Sequence, residues 1–298
     1  MKSARGNQFG GDWTTRKLDI VSAYLSAYTT ALKNAPFETL YIDAFAGSGY
    51  RTSARRKIAD VSSELLFPDL SMDEPQSLLA GSARRALLTQ PEFHRYVFIE
   101  RHTAYRAELA KLTSEFPHLA ERIEILGGDA NEELKELCRQ TWRRRRAVLF
   151  LDPYGMQVEW STVEAIAGTK AIDLWLLFPL GIGVNRLLTR SADIPEPWRR
   201  RLDLLLGTTD WFDEFYRVEA EPNLFGDAEQ RVIKASMATI GRYFVRRLGT
   251  IFSGVVEEPA VLCNSTNNPL YLLCFAVGNE KGKPIALRIA RHLLDHIR

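Results

Sequence analysis

Apolar positions along the chain follow two different periods. Leu18, Val21, Leu25, Tyr28 and Leu32 recur at helical spacing behind the candidate N-caps Thr14 and Thr15, which predicts a helix to about Lys33, before Pro36. From Thr39 onward, short apolar runs alternate with amphipathic stretches. Thr39–Phe45, Tyr96–Glu100, Arg122–Leu126, Ala147–Asp152 and Ile172–Phe178 read as strands, and Ala104–Phe116, Asn131–Trp142 and Ser161–Ala167 as the helices between them. Strands that alternate with helices form a parallel sheet with crossover connections, and strands apolar almost throughout are covered on both faces.

Two segments break this rhythm. Residues 51–80 form a polar loop insertion, longer than connections without a role usually are. Residues 181–248 read as a helical insertion or subdomain, with a long helical pattern from Asp227 onward. Ile251–Glu257 and Leu270–Val277 are expected as the last strands and Pro284–Ile297 as the final helix. The expected whole is a single domain over residues 1–298, an α/β, Rossmann-like, doubly wound and mostly parallel sheet with an antiparallel last strand.

Composition narrows the function classes. With 298 residues, 46% of them hydrophobic, the chain can bury a core, and a net charge of +2 excludes a polybasic nucleic-acid binder. The 29 arginines against 10 lysines lean weakly toward an anionic partner. Cys138, Cys263 and Cys274 are isolated, odd in number and form no CxxC pair, which points to a reducing compartment. No apolar leader and no long apolar span stand out, so a cytoplasmic protein without a membrane segment is expected. His292 and His296 lack further ligands at matching spacing, and no metal site is expected.

The candidate chemistry lies at the strand ends. Asp43, Phe45, Ala46, Gly47, Ser48 and Gly49 follow the first strand, where glycine lets a ligand approach the backbone and the carboxylate accepts ligand hydrogen bonds. The dinucleotide fingerprint fails, because Thr52 stands where its third glycine belongs, and there is no phosphate loop. Glu100, closing the second strand, suits ribose hydroxyls. Asp129, after the third, suits an adenine amino group, with Ala130 supplying backbone. A glycine turn, a glutamate and an aspartate on consecutive strands are the pattern of class I S-adenosylmethionine-dependent methyltransferases. Asp129 also fits an ordinary helix N-cap.

The fourth strand ends in Asp152-Pro153-Tyr154-Gly155, where methyltransferases acting on amino groups carry a D/N-P-P-aromatic turn. This chain has one proline and an earlier aromatic. Asp152, Pro153 and Tyr154 are the candidate catalytic residues: the first two orient an amino group and the ring stacks on a base. Arg51, Arg55, Arg56 and Lys57 are candidate phosphate contacts, whereas the Arg143–Arg146 run sits at the opposite end of its strand.

These elements together resemble the three-Cys-motif partner protein (TcmP) family. The matching parts are Lys17–Leu25, Tyr41–Gly49, Gly81-Ser82-Ala83, Phe98–Glu100, Gly128-Asp129, Leu149–Gly155 and Asn268–Val277. The resemblance covers nearly the whole chain. It implies a methyltransferase-like fold, an Asp-Pro-aromatic-Gly turn as a family feature, and a partner that is a radical S-adenosylmethionine protein carrying the three cysteines. The leading expectation is a methyltransferase using S-adenosylmethionine on a nucleic-acid base amino group. The alternatives are a protein or peptide acceptor, or a methyltransferase-fold binding protein acting with the radical partner.

Overall fold

The computed structural model describes residues 12–48, 81–222 and 228–296. Helix α1 (Asp12–Leu32) precedes β1 (Glu38–Asp43). Next come α2 (Ser82–Leu87), β2 (Arg95–Ile99), α3 (Thr103–Glu115), β3 (Ile123–Leu126) and α4 (Ala130–Arg139). They are followed by β4 (Arg145–Leu151), α5 (Trp160–Gly168) and β5 (Ile172–Phe178). A π-type turn, Leu180–Val184, leads into α6 (Glu196–Leu206) and α7 (Trp211–Phe215), then to β6 (Tyr216–Pro222) and β7 (Ala228–Lys234). The chain closes with α8 (Met237–Gly249), β8 (Gly254–Val255), β9 (Ala260–Cys263), β10 (Pro269–Val277) and α9 (Lys283–Asp295).

The main sheet runs β3-β2-β1-β4-β5-β10-β8, with β9 also on the edge of β10. Strands β1 to β5 pair in parallel and β10 runs antiparallel to β5, Leu272 facing Phe178 and Val277 facing Asp173. This order is the Rossmann-like class I methyltransferase arrangement. The strand order reverses between β1 and β4, the place where open α/β sheets bind ligands beyond their carboxyl ends.

Strand alternation explains the continuous apolar runs. Leu40, Ile42, Leu149, Leu151, Leu174 and Leu176 face a core shared with α4, α5, α6 and α8. Their neighbours Tyr41, Val148, Phe150, Trp175 and Leu177 face a second core under α1, α2, α3 and α9. Both faces are therefore buried, as expected of a parallel sheet.

Several sequence expectations are corrected. Helix α1 starts at Asp12, so Thr14 and Thr15 lie in its first turn and are not caps; Thr14 is buried. The first strand ends at Asp43, because Ala44 and Ala46 already turn to bond Phe150 and Ile99 carbonyls. Of the pattern read as helix from Asp227 onward, Ala228–Lys234 is a strand paired antiparallel with β6, and helix begins only at Met237 behind the Ser236 cap. Residues 181–248 thus hold a hairpin besides helices. The expected strand 251–257 shrinks to Gly254–Val255, and β9 supplies the missing pairing to β10.

The turn after β5 is fitted against the start of β10. A Cβ at Gly181 would overlap the Pro269 carbonyl oxygen. Backbone cannot retreat as a flexible side chain can, so Gly181→Ala should lower the melting temperature by several degrees, roughly 1–3 kcal/mol of overpacking. A thermal melt with no change would show that this turn yields freely.

Candidate functional site

The carboxyl ends of the parallel strands gather most of the predicted residues. Asp43, the last residue of β1, is fully buried. Its Oδ1 accepts from the Phe45 amide at 3.3 Å and its Oδ2 from the Tyr41 hydroxyl at 3.3 Å. Burial pushes its carboxyl up to about 7, helped by the charge of Asp152 and opposed by hydrogen bonds from Ser82, Phe45 and Tyr41. Ser82 opens α2, so the start of that helix lies beside the end of β1.

Gly47 has φ +58°, the left-handed region that favours glycine, and no described heavy atom lies within 4 Å of a Cβ built there. Among the described residues nothing covers this stretch of backbone. Ala46 is buried, while Phe45, Gly47 and Ser48 are half-buried. Gly49 and the basic residues Arg51, Arg55, Arg56 and Lys57 lie outside the described residues.

Glu100 follows β2, buried, with Oε1 accepting from the His102 amide at 2.7 Å. Asp129 is exposed at the end of β3 and caps α4, its Oδ1 accepting from the Asn131 amide at 2.9 Å. The cap and a ligand contact are compatible, since a carboxylate has further lone pairs. Ala130 is buried at the first position of α4.

On the other side of β1, Asp152, Pro153 and Tyr154 leave β4. Pro153 is buried, Tyr154 is 58% exposed and Gly155 turns with φ +71°. Asp152 Oδ2 lies 2.6 Å from the Lys17 ammonium, with side-chain exposures of 25% and 5%. The charge of Asp152 reaches Asp43, so the ends of β1 and β4 are electrostatic neighbours.

Sequence reasoning missed the residues that hold this turn in place. Lys17 counted there only as part of a helical motif. The Trp13 ring covers its ammonium at 5.0 Å, and Trp13 in turn packs on Tyr271 of β10 with centroids 5.2 Å apart. Asn131 joins α4 to the loop after β4: Nδ2 donates to the Gln157 carbonyl at 3.0 Å, while Oδ1 accepts from the Glu159 amide at 3.0 Å and the Thr162 hydroxyl at 2.9 Å. In the sequence Asn131 lies between Asp129-Ala130 and Glu132-Glu133 and reads only as the polar start of a charged helix, with nothing to mark these partners.

The Arg143–Arg146 run sits at the amino end of β4 as expected. Arg145 pairs with Glu38 and Arg146 covers the Phe37 ring. His296 bonds the His292 carbonyl, and among the described residues no group of three metal-ligating side chains occurs. No helix among the described residues is long and apolar enough to cross a membrane.

The chain matches no family model and no curated protein. Among solved structures it is similar to a Legionella pneumophila protein of the DUF519 family model, at 13% identity and TM-score 0.47, over 97% of this chain and 93% of that one. A spermidine synthase in complex with the transition-state analogue AdoDATO overlaps at 11% identity and TM-score 0.41, over 90% and 62%. The Thermotoga maritima spermidine synthase gives 9% identity and TM-score 0.38, over 90% and 60%. Overlaps this shallow carry no functional argument, which rests instead on the strand order and the residues at its carboxyl edge.

Proposed function

We propose that this protein is an S-adenosylmethionine-dependent methyltransferase acting on an amino group, with a nucleic-acid base as the leading acceptor. The carrying observation is the sequence of strand ends: buried Asp43 with the open Gly47 turn, Glu100 and Asp129 on one side of the topological switch, Asp152-Pro153-Tyr154 on the other. The bound cofactor supplies an electrophilic methyl group on a sulfonium. Asp43 and the Gly47 backbone would hold its amino-acid end, Glu100 the ribose and Asp129 the adenine. Asp152 and the Pro153 carbonyl accept the acceptor's N–H bonds, and the exposed Tyr154 ring offers a stacking face worth roughly 1–3 kcal/mol. The acceptor nitrogen uses its lone pair and afterwards sheds a proton to solvent.

Calorimetry with S-adenosylmethionine and S-adenosylhomocysteine tests the cofactor half. Wild type should bind both, and Gly47→Arg should abolish binding. Affinity for the cationic cofactor should fall several-fold from about pH 8 to about pH 6, because Asp43, with its midpoint of about 7, loses its charge there. Asp43→Asn should flatten that dependence. A folded wild type that binds neither compound favours the docking reading instead. In that reading the β6–β7 hairpin, with Val218 62% exposed and Ile233 exposed, would meet the radical S-adenosylmethionine partner implied by the TcmP resemblance.

A further inference from the structure

Resting on the methyltransferase reading, we infer that Lys17 is the positioning residue of the acceptor seat, and that its charge selects a neutral amino group, as on a nucleobase, over a cationic alkylamine. The contact spans 135 positions of sequence and joins α1 to the turn after β4. Lys17 Nζ lies 2.6 Å from Asp152 Oδ2, and its side chain is 5% exposed. Trp13 closes over the ammonium at 5.0 Å and is itself backed by Tyr271. A lysine held between a carboxylate and a ring has lost the freedom that makes surface lysines poor orienting groups.

Two consequences follow for the acceptor. With Oδ2 engaged by Lys17, the carboxylate is fixed in one plane and turns Oδ1 to an incoming N–H. The pair also brings no net charge to the seat. A lone aspartate would attract a lysine ammonium, whose nitrogen has no lone pair to offer until it loses a proton. With the Lys17 ammonium beside it the carboxylate no longer draws such a cation in, whereas a neutral exocyclic amine needs no charge attraction to donate to Oδ1. Helix α1 is itself anchored from the other end of the sheet, Tyr24 donating to the buried Asp173 at 2.8 Å, so Lys17 approaches Asp152 from a fixed element.

The test compares wild type, Lys17→Met and Lys17→Arg. Three readouts are taken: S-adenosylhomocysteine affinity, crystal structures of the complexes with that compound, and methyl incorporation from labelled S-adenosylmethionine. The acceptors are random-sequence RNA, random-sequence DNA and a lysine-containing peptide pool. Lys17→Met should keep cofactor affinity within about threefold, swing the Asp152 carboxylate away from its wild-type plane, and lower kcat on nucleic acid about 100-fold with little change in KM, the penalty of a misplaced reacting group. Lys17→Arg should restore the carboxylate plane and part of the rate. At saturating cofactor the wild-type rate should stay flat from about pH 8 to about pH 9.5, whereas an alkylammonium acceptor would give about a tenfold rise per unit.

An unmoved Asp152 or an unchanged kcat in Lys17→Met overturns the positioning role while leaving the methyltransferase reading intact. Transfer to the peptide pool with the steep pH dependence overturns the selectivity. A Lys17→Met protein that does not fold leaves the decision to Lys17→Arg, which must then retain the carboxylate plane and measurable transfer, or the inference fails. Wild type that binds cofactor yet methylates no pool removes the acceptor reading and this inference together.

Discussion

Asp152→Asn should bind S-adenosylhomocysteine as tightly as wild type and lose methyl transfer by at least about 100-fold, because it removes the charged acceptor that aligns the amino group. Asparagine keeps the shape of the turn and can still accept from Lys17. Asp152→Ala should be worse in a different way. It leaves a lysine that is 5% exposed without its carboxylate, and an unpaired buried charge is more damaging than no pair. The alanine variant should therefore melt below the asparagine variant, and adding Lys17→Met to it should recover stability without recovering activity. If Asp152→Asn also loses cofactor affinity, Asp152 belongs to the cofactor pocket, and the division between the two turns is wrong.

The second large effect concerns Asp173 on β5. Buried, bonded by Tyr24 and the Gly278 amide, and under Arg146's weak attraction, its carboxyl is pushed up to about 7 by burial. Asp43 carries the same midpoint for the same leading reason. A group whose folded pKa lies above its unfolded value adds stability below the unfolded value, and that contribution is lost as pH rises through the folded one. The change from 3.8 to about 7 is on the order of 4 kcal/mol for Asp173. Denaturant titrations should accordingly show wild type losing stability between about pH 4 and about pH 7. Asp173→Asn should flatten much of that loss and exceed wild type at about pH 8. A wild type equally stable across that window would show that water reaches the carboxylate, or that Arg146 holds it ionised.

The five parallel strands and their functional ends were legible because period and chemistry coincide there. A strand buried on both faces is apolar until it reaches the edge, so a polar residue such as Asp43, Glu100 or Asp152 marks that edge. The β6–β7 hairpin was not legible. Arg231, Val232, Ile233 and Lys234 satisfy helical spacing as readily as strand alternation; only their pairing with Tyr216–Glu219 decides. The surroundings of the turn after β4 were half legible for a related reason. Asp152-Pro153-Tyr154 is contiguous, while Lys17, Trp13 and Tyr271 come from opposite ends of the chain and carry no local signature. Asp129 is the N-cap that one of its two readings expected, with one carboxylate oxygen accepting from the Asn131 amide.

Asn131 gives the site a mechanical property. Its amide joins the start of α4, beside Asp129, to the loop that continues the Asp152-Pro153-Tyr154 turn, with three bonds from one side chain. A displacement of α4 cannot be absorbed in that joint and must be passed to residues 157–162. The start of α4 and the loop after β4 are therefore tied side by side, and a substitution at Asn131 should loosen both together.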